Sequence, residues 1–297
     1  MGDLKSFMGP MRLPFLILTP ACVLLGLGTA VWSVGEVRAL HFAVALIGAV
    51  ASHISVNAFN EYFDFKSGLD FKTERTPFSG GSGTLPEKPE LAGRALGTAI
   101  VSLAIVALVG VYFLRVWGWW LLPLGIAGIL VVVAYTPWLA HNAFLCLIAP
   151  GLGFGSLMVV GTHFALTGEY SWTAFVASLV PFFLVSNLLL LNQFPDVEAD
   201  RSVGRRNYPV VIGRRASSLI FGAFMLLAFL SIVTGVAFDL LPGASLIGLA
   251  ALLVAVPAAV GAYRYADDVR RLVPFLGLNV LTNILTPVLV AVGLLLA

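Results

Sequence analysis

Residues 53–75, HISVNAFNEYFDFKSGLDFKTER, decide how this chain is read. They begin as the tail of a membrane-length apolar run and then fill with amides, carboxylates and cations. At 3.6 residues per turn, His53, Asn57, Asn60, Glu61 and Asp64 fall within about 100° of one helix face, each lying three or four residues from a neighbour. A second stretch far downstream, residues 192–206, NQFPDVEADRSVGRR, repeats the pattern with Asn192, Asp196 and Asp200 on one face. Charged groups at the end of a lipid-embedded helix are costly, and they persist where a partner, a water-filled cavity or an ion compensates them. Two such acidic faces read as one site.

Of the 297 residues, 59% are hydrophobic and 11% charged, and the mean hydropathy is +0.98. That composition identifies a polytopic membrane protein. A helix needs about 20 apolar residues to cross the hydrocarbon. Nine runs approach that length: 13–33, 40–63, 95–114, 117–137, 144–166, 173–195, 217–238, 244–263 and 273–296. The expected fold is all-α, a membrane helical bundle of about nine transmembrane helices forming a single domain over 1–297, with loops 64–94 and 196–216 capping the site. The first run follows Lys5 and Arg12 as a signal peptide would, but its length and the spans after it favour a membrane helix. Fifteen of the seventeen Lys and Arg residues lie in the N-terminal segment and the loops after helices 2, 4, 6 and 8, leaving only Arg38 and Arg115 on the other side. The positive-inside rule places the N-terminus and both acidic segments on the cytoplasmic face of a cell membrane. A net charge of +2 without a basic tail excludes nucleic acid as a partner. Cys22 and Cys146, isolated in apolar runs, read as core residues.

Hard divalent cations such as Mg²⁺ take oxygen ligands, commonly one or two carboxylates completed by water and substrate phosphates. A diphosphate bridging two acidic clusters through Mg²⁺ is therefore the natural ligand, with Lys72, Arg75 and Arg201 as complementary cations. At the end of an apolar bundle, a polyprenyl tail can lie among helices while its head group meets the metal. Ionisation leaves an allylic cation that aromatic faces stabilise; Tyr62, Phe63, Tyr135 and Trp138 are candidates by position. Other features have plainer readings. FSGGSG at 78–83 lacks the ending of a P-loop and reads as a flexible lid or turn. His53 and His163 read as core histidines, Arg12 as a snorkelling anchor, and Pro195 as a kink in helix 6.

The segments NEYFDFKSGLD at 60–70 and NQFPDVEAD at 192–200 resemble the paired aspartate-rich motifs of the UbiA-type intramembrane prenyltransferases, and Lys72-x-x-Arg75 resembles the basic element that follows the first. The Asp64 to Asp70 spacing, with MRLP at 11–14, YTP at 135–137 and MVVGTHF at 158–164, looks like the 1,4-dihydroxy-2-naphthoate polyprenyltransferase branch of menaquinone synthesis. The resemblance implies that Asn60, Glu61, Asp64, Asp70, Asn192, Asp196 and Asp200 hold two Mg²⁺ ions, and that Lys72, Arg75, Arg201 and Tyr135 contact the prenyl diphosphate. It implies an isoprenyl diphosphate donor and a small aromatic acceptor. Three residues depart from the pattern: Glu61 stands where Asp is usual, Pro195 where that branch commonly has Arg, and Phe154 near a common Glu. They leave open another acceptor, such as a hydroxybenzoate, a haem or a glycerol phosphate ether, or a terpene cyclisation. A transporter, the reading from another class, would place its ligands near the midplane rather than at one end.

Overall fold

The computed structural model describes residues 8–297; Lys5 lies outside them. Among the described residues every regular element is helical. In hydrocarbon a helix satisfies its own backbone polar groups, which is why long apolar runs fold this way. Among the described residues nine helices make the bundle: α1 (Leu18–Val34), α2 (Ala39–Ser67), α3 (Ala92–Trp117), α4 (Leu122–Ala134), α5 (Ala143–Thr167), α6 (Trp172–Asn192), α7 (Arg214–Ala237), α8 (Leu252–Arg264) and α9 (Val269–Leu295). Eight of these, some extended by flanking turns, are long and apolar enough to cross a membrane, and α4 is shorter.

The first acidic segment occupies the last turns of α2 and the second follows the end of α6, an even number of crossings apart, so the two segments share one end of the bundle. The opposite end exposes Trp119, Trp120, Trp172 and Phe238, the aromatic belt expected at a membrane interface. Helix α6 is the most buried and packs on α7, α5 and α9, while α1 lies between α9 and α5 and α2 runs along α3. The contact of α5 with α6 depends on Gly151 and Gly155. A Cβ on Gly155 would stand 2.5 Å from the Phe182 nitrogen, and one on Gly151 would overlap the Phe182 carbonyl oxygen. Small residues four apart let two backbones approach in this way.

Two local features shape the site. After Pro150, α5 passes through a π-helical segment, Leu152–Leu157, a distortion often found at functional positions. It carries Phe154 edge-on to His53 of α2, with ring centroids 4.6 Å apart. Helix α2 continues past the expected residue 63 to Ser67, where Gly68 at φ +78° caps it. Helix α6, by contrast, stops at Asn192. Pro195 disfavours helical geometry in the residue before it, and the chain restarts as the short helix Val197–Ser202 with Asp196 at its N-cap. The expected kink is thus a termination, and Asp196 and Asp200 do not lie on the face of α6. The carbonyl of Phe194, freed by the break, accepts a 2.7 Å hydrogen bond from Arg214 Nε.

Candidate active site

The two acidic segments meet. Arg205 donates through Nη2 to Asp64 at the end of α2 and through Nη1 to Asp200 of the short helix, the latter at 3.3 Å. One guanidinium therefore joins residues 136 apart in sequence. Asp200 is further held by Asn207 Nδ2 at 2.7 Å. On the other side of Asp64, Glu61 is fully buried. It accepts hydrogen bonds from Arg12 Nε at 2.8 Å, from the Ser82 backbone N–H at 2.7 Å and from Ser82 Oγ at 2.8 Å. Arg12 also donates to Asn60 Oδ1 at 3.0 Å, and Asn60 Nδ2 donates to Thr136 Oγ1 at 3.2 Å.

Arg12 is not the snorkelling anchor expected from its place before the first span. Its backbone sits at φ +50° between two 3-10 turns, a conformation uncommon outside glycine that is favoured where surrounding contacts impose it. Here the turn aims the guanidinium at Glu61. The glycine-rich segment 78–83 folds over the same carboxylate. Gly81, at φ +72°, lies so close that a Cβ would stand 3.1 Å from Asp70 Oδ1 and 3.3 Å from Glu61 Oε1, so both backbone conformation and space require glycine there.

Other expected contacts lie elsewhere. Lys72 is exposed; Arg75, also exposed, pairs with Glu87 at 3.2 Å and with the Gly83 carbonyl at 3.3 Å. Arg201 is exposed on Glu198 at 2.9 Å. Among the described residues, the cations brought to the acidic cluster are Arg12 and Arg205. Of the four aromatic candidates, Tyr135 lines the cavity below the cluster. Trp138 is 68% exposed, Tyr62 lies under the Lys66 ammonium, and Phe63 stacks on Phe59 away from it.

Among the described residues, no three carboxylate, imidazole or thiol groups converge as a ready-made metal cage. A metal carried in by a diphosphate does not need one, since one or two carboxylates per ion suffice. The test is whether oxygen donors are left over. Asp70 Oδ2, Asp196 Oδ1 and Asn192 Oδ1 are all buried without any hydrogen-bond partner, a costly state for polar atoms that a ligand relieves. Burial, reinforced by the charges of Glu61 and Asp64, pushes the Asp70 carboxyl up to about 7. Burial, reinforced by Asp200, does the same to Asp196, also to about 7. For Arg205 burial opposes the charge, yet Asp64 and Asp200 outweigh it and hold the guanidinium firmly protonated. An oxygen-only donor set short of positive charge fits Mg²⁺.

Beneath this polar mouth runs a cavity of about 320 Å³, within the range of small-molecule sites. Asn60, Asn192, Arg12 and Tyr135 stand at its mouth, and Ala45, Phe113, Leu121 and Ala165 at its floor. From Asn60 to Ala45 is fifteen residues of α2, about 22 Å along the axis. Its walls are mostly apolar side chains of α2, α3, α4 and α5. A long hydrocarbon with a charged head matches that shape.

Comparison with known proteins agrees. The chain is 30% identical over 214 residues to the 1,4-dihydroxy-2-naphthoate octaprenyltransferase of Bacillus subtilis, an alignment spanning 71% of this chain and 67% of that one. Its fold is similar to that of a UbiA homologue from Aeropyrum pernix K1, with TM-score 0.72 at 16% identity over 95% of this chain and 97% of that one. It is also similar to a UbiA homologue from Archaeoglobus fulgidus bound to DMAPP and Mg²⁺, with TM-score 0.61 at 13% identity over 97% and 99%. Residues 19–282 match the profile of the UbiA prenyltransferase family, and the chain, a multi-pass membrane enzyme that transfers prenyl groups, belongs to that family.

Proposed function

We propose that this enzyme transfers a polyprenyl group from an isoprenyl diphosphate, with Mg²⁺, to a hydroxylated aromatic acceptor, 1,4-dihydroxy-2-naphthoate. The observation that carries the reading is the junction at Arg205, which brings Asp64 and Asp200 together, beside three buried oxygens of Asp70, Asp196 and Asn192 without partners. Asp64, Asp70, Asp196 and Asp200 would hold the metal-bound diphosphate, with Asn60 and Asn192 orienting it. When bound, Mg²⁺ supplies positive charge at the oxygen that leaves with the diphosphate. Arg12 and Arg205 add guanidinium donors at the same mouth, preorganised by Glu61 and Asp200. The apolar walls below take the prenyl tail and keep water from the allylic carbon.

The choice of acceptor is supported by the name of the Bacillus subtilis relative. Cytoplasmic placement of the mouth is supported by the segregation of fifteen of the seventeen Lys and Arg residues to its side. Membranes containing the protein, incubated with labelled prenyl diphosphates and a panel of aromatic acceptors, test the reading. Prenylated naphthoate formed only with Mg²⁺ is expected. Label recovered as cyclised hydrocarbon without any acceptor would replace transfer by cyclisation, and transfer confined to a hydroxybenzoate would replace the acceptor.

A further inference from the structure

The prenyl cation needs a nucleophile, and a hydroxylated ring becomes a good one as it loses its hydroxyl proton. Among the described residues lining the cavity there is no Asp, Glu, Lys or Cys; the titratable side chains are Arg12, Tyr135 and His53. Arg12 is a cation held by Glu61, and a phenol such as Tyr135 is a poor proton acceptor while protonated. The imidazole of His53 alone carries a basic nitrogen.

His53 is 5% exposed, and its Nδ1 shares a 2.8 Å hydrogen bond with Thr19 Oγ1 of α1. No described residue pairs with Nε2, on the far edge of the ring. Phe154, from the π-helical segment of α5, packs edge-on and fixes the ring plane. Asn60 lies seven residues on, so His53 stands on the same stripe of α2, offset by about 20° and about 10 Å deeper. That interval accommodates an allylic carbon below the diphosphate and one aromatic ring beyond it. His163 provides an internal contrast. It too is buried on a threonine, with Nδ1 3.1 Å from Thr29 Oγ1, but it does not line the cavity.

We infer that His53 is the catalytic base, its Nε2 accepting the hydroxyl proton of an aromatic acceptor bound between it and the diphosphate. Thr19 orients it by accepting the proton on Nδ1. The C–O bond of the donor breaks, its electron pair leaving on the diphosphate. The ring carbon ortho to the hydroxyl forms the new C–C bond as the hydroxyl proton passes to Nε2, giving a neutral dienone. Loss of the ring proton to the departed diphosphate, or of CO₂ from a carboxylated ring, restores aromaticity, and the imidazolium returns its proton to the oxygen. This inference rests on the transfer reading above and identifies the chemical class of acceptor as a ring bearing a free hydroxyl.

The test uses full-length protein in lipid nanodiscs, comparing wild type with His53→Gln, Thr19→Val and His163→Gln. Positional exchange of ¹⁸O in the prenyl diphosphate reports ionisation without needing the acceptor, and product formation reports transfer. General-base catalysis contributes about 10²–10⁴-fold, so His53→Gln should lower kcat for transfer about 100-fold or more while exchange stays near wild type. At saturating Mg²⁺, which keeps Asp70 and Asp196 deprotonated, it should also remove the acid-side inflection of the kcat profile, to which Arg12 and Tyr135, the other titratable groups on the cavity wall, remain common. Fluorinated acceptors with more acidic hydroxyls should shrink the defect. Thr19→Val should give a smaller loss of kcat, and His163→Gln should leave the profile unchanged. Equal loss of exchange and transfer in His53→Gln, or a defect independent of acceptor acidity, would make His53 structural and overturn the inference. Absence of exchange in the wild type would instead sink the underlying transfer reading.

Discussion

The two acidic segments carry the same Asn-x-x-x-Asp spacing on different backbones. In the first, α2 runs unbroken through Asn60 and Asp64 to Ser67. In the second, α6 ends at Asn192 and a separate short helix begins after Asp196. Carboxylates near the C-terminus of a helix oppose its macrodipole, and the first segment is accordingly compensated from afar. Arg12 reaches Glu61 across 49 residues and Arg205 reaches Asp64 across 141. The second segment is compensated locally, by Arg205 and Asn207 on Asp200, and leaves Asp196 and Asn192 with unpartnered oxygens. Among the described residues each half thus keeps one carboxylate with an unpartnered oxygen, Asp70 in the first and Asp196 in the second, but the first half rides on a continuous helix and the second on an interrupted one.

The strongest way to break this comparison is to remove one carboxylate from each half. Asp64→Ala and Asp196→Ala should each lower prenyl transfer about 10³-fold or more while the protein still inserts, as expected where charge stabilisation dominates catalysis. Near-normal turnover in either variant would leave the pairing without a function. Arg205→Ala cuts the bridge itself. Breaking a buried ion pair from one side costs about 3–5 kcal/mol, here with Asp64 and Asp200 both left behind and both nearly inaccessible. Turnover should fall about 100-fold, and the melting temperature without metal should drop by several degrees. Because Mg²⁺ can replace part of the lost charge, it should raise that melting temperature more in the variant than in wild type. Equal metal shifts in the two proteins would show that Arg205 and the metal do not share the same carboxylates.

Much of this was legible in the sequence, for reasons visible residue by residue. The apolar runs, the amide and aspartate spacing and the one-sided distribution of cations identify nine helices with both motifs at one end, because helical period and bilayer thickness are local rules. The backbone of the second motif was not legible from spacing alone, since i, i+4 periodicity survives a break that happens to preserve the same register; Pro195 was the available signal. The partners of the carboxylates were least legible. Arg12 looks like any cation flanking a span, and Arg205 is one of five arginines between Arg201 and Arg215 that the positive-inside rule explains equally well. Choosing among them requires knowing where the chain folds back, and that depends on contacts 49 and 141 residues distant.

Glu61 sharpens the comparison further. The resemblance placed it among metal ligands, yet both its oxygens are engaged, by Arg12 and by the Ser82 N–H and hydroxyl. Glu61→Gln should therefore act on position rather than on metal binding, lowering kcat about tenfold with little change in the Mg²⁺ concentration required. Asp70→Asn, altering a carboxylate with a free buried oxygen, should raise the Mg²⁺ requirement instead. A Glu61→Gln enzyme restored to wild-type rate by excess Mg²⁺ would return Glu61 to the ligand set.

The smallest effect concerns pH without metal. Burial and neighbouring negative charge raise Asp70 and Asp196 to about 7, above the ordinary carboxylate value of about 4. Between those values the metal-free folded protein binds protons that the unfolded chain has released, so the contribution of these groups is largest in acid and is lost as pH rises through about 7. In EDTA the melting temperature should then fall by a few degrees from pH 5.5 to pH 8. With saturating Mg²⁺ the sign reverses, because the cation binds the deprotonated carboxylates and competes with protons below pH 7. The stabilisation by Mg²⁺ should accordingly grow with pH. Asp196→Asn should flatten both trends in part while leaving the first segment intact, since the second half loses its titrating group and Asp70 keeps its own. A metal-free melting temperature that rises from pH 5.5 to pH 8 would mean that these carboxylates are compensated by cations already present in both halves.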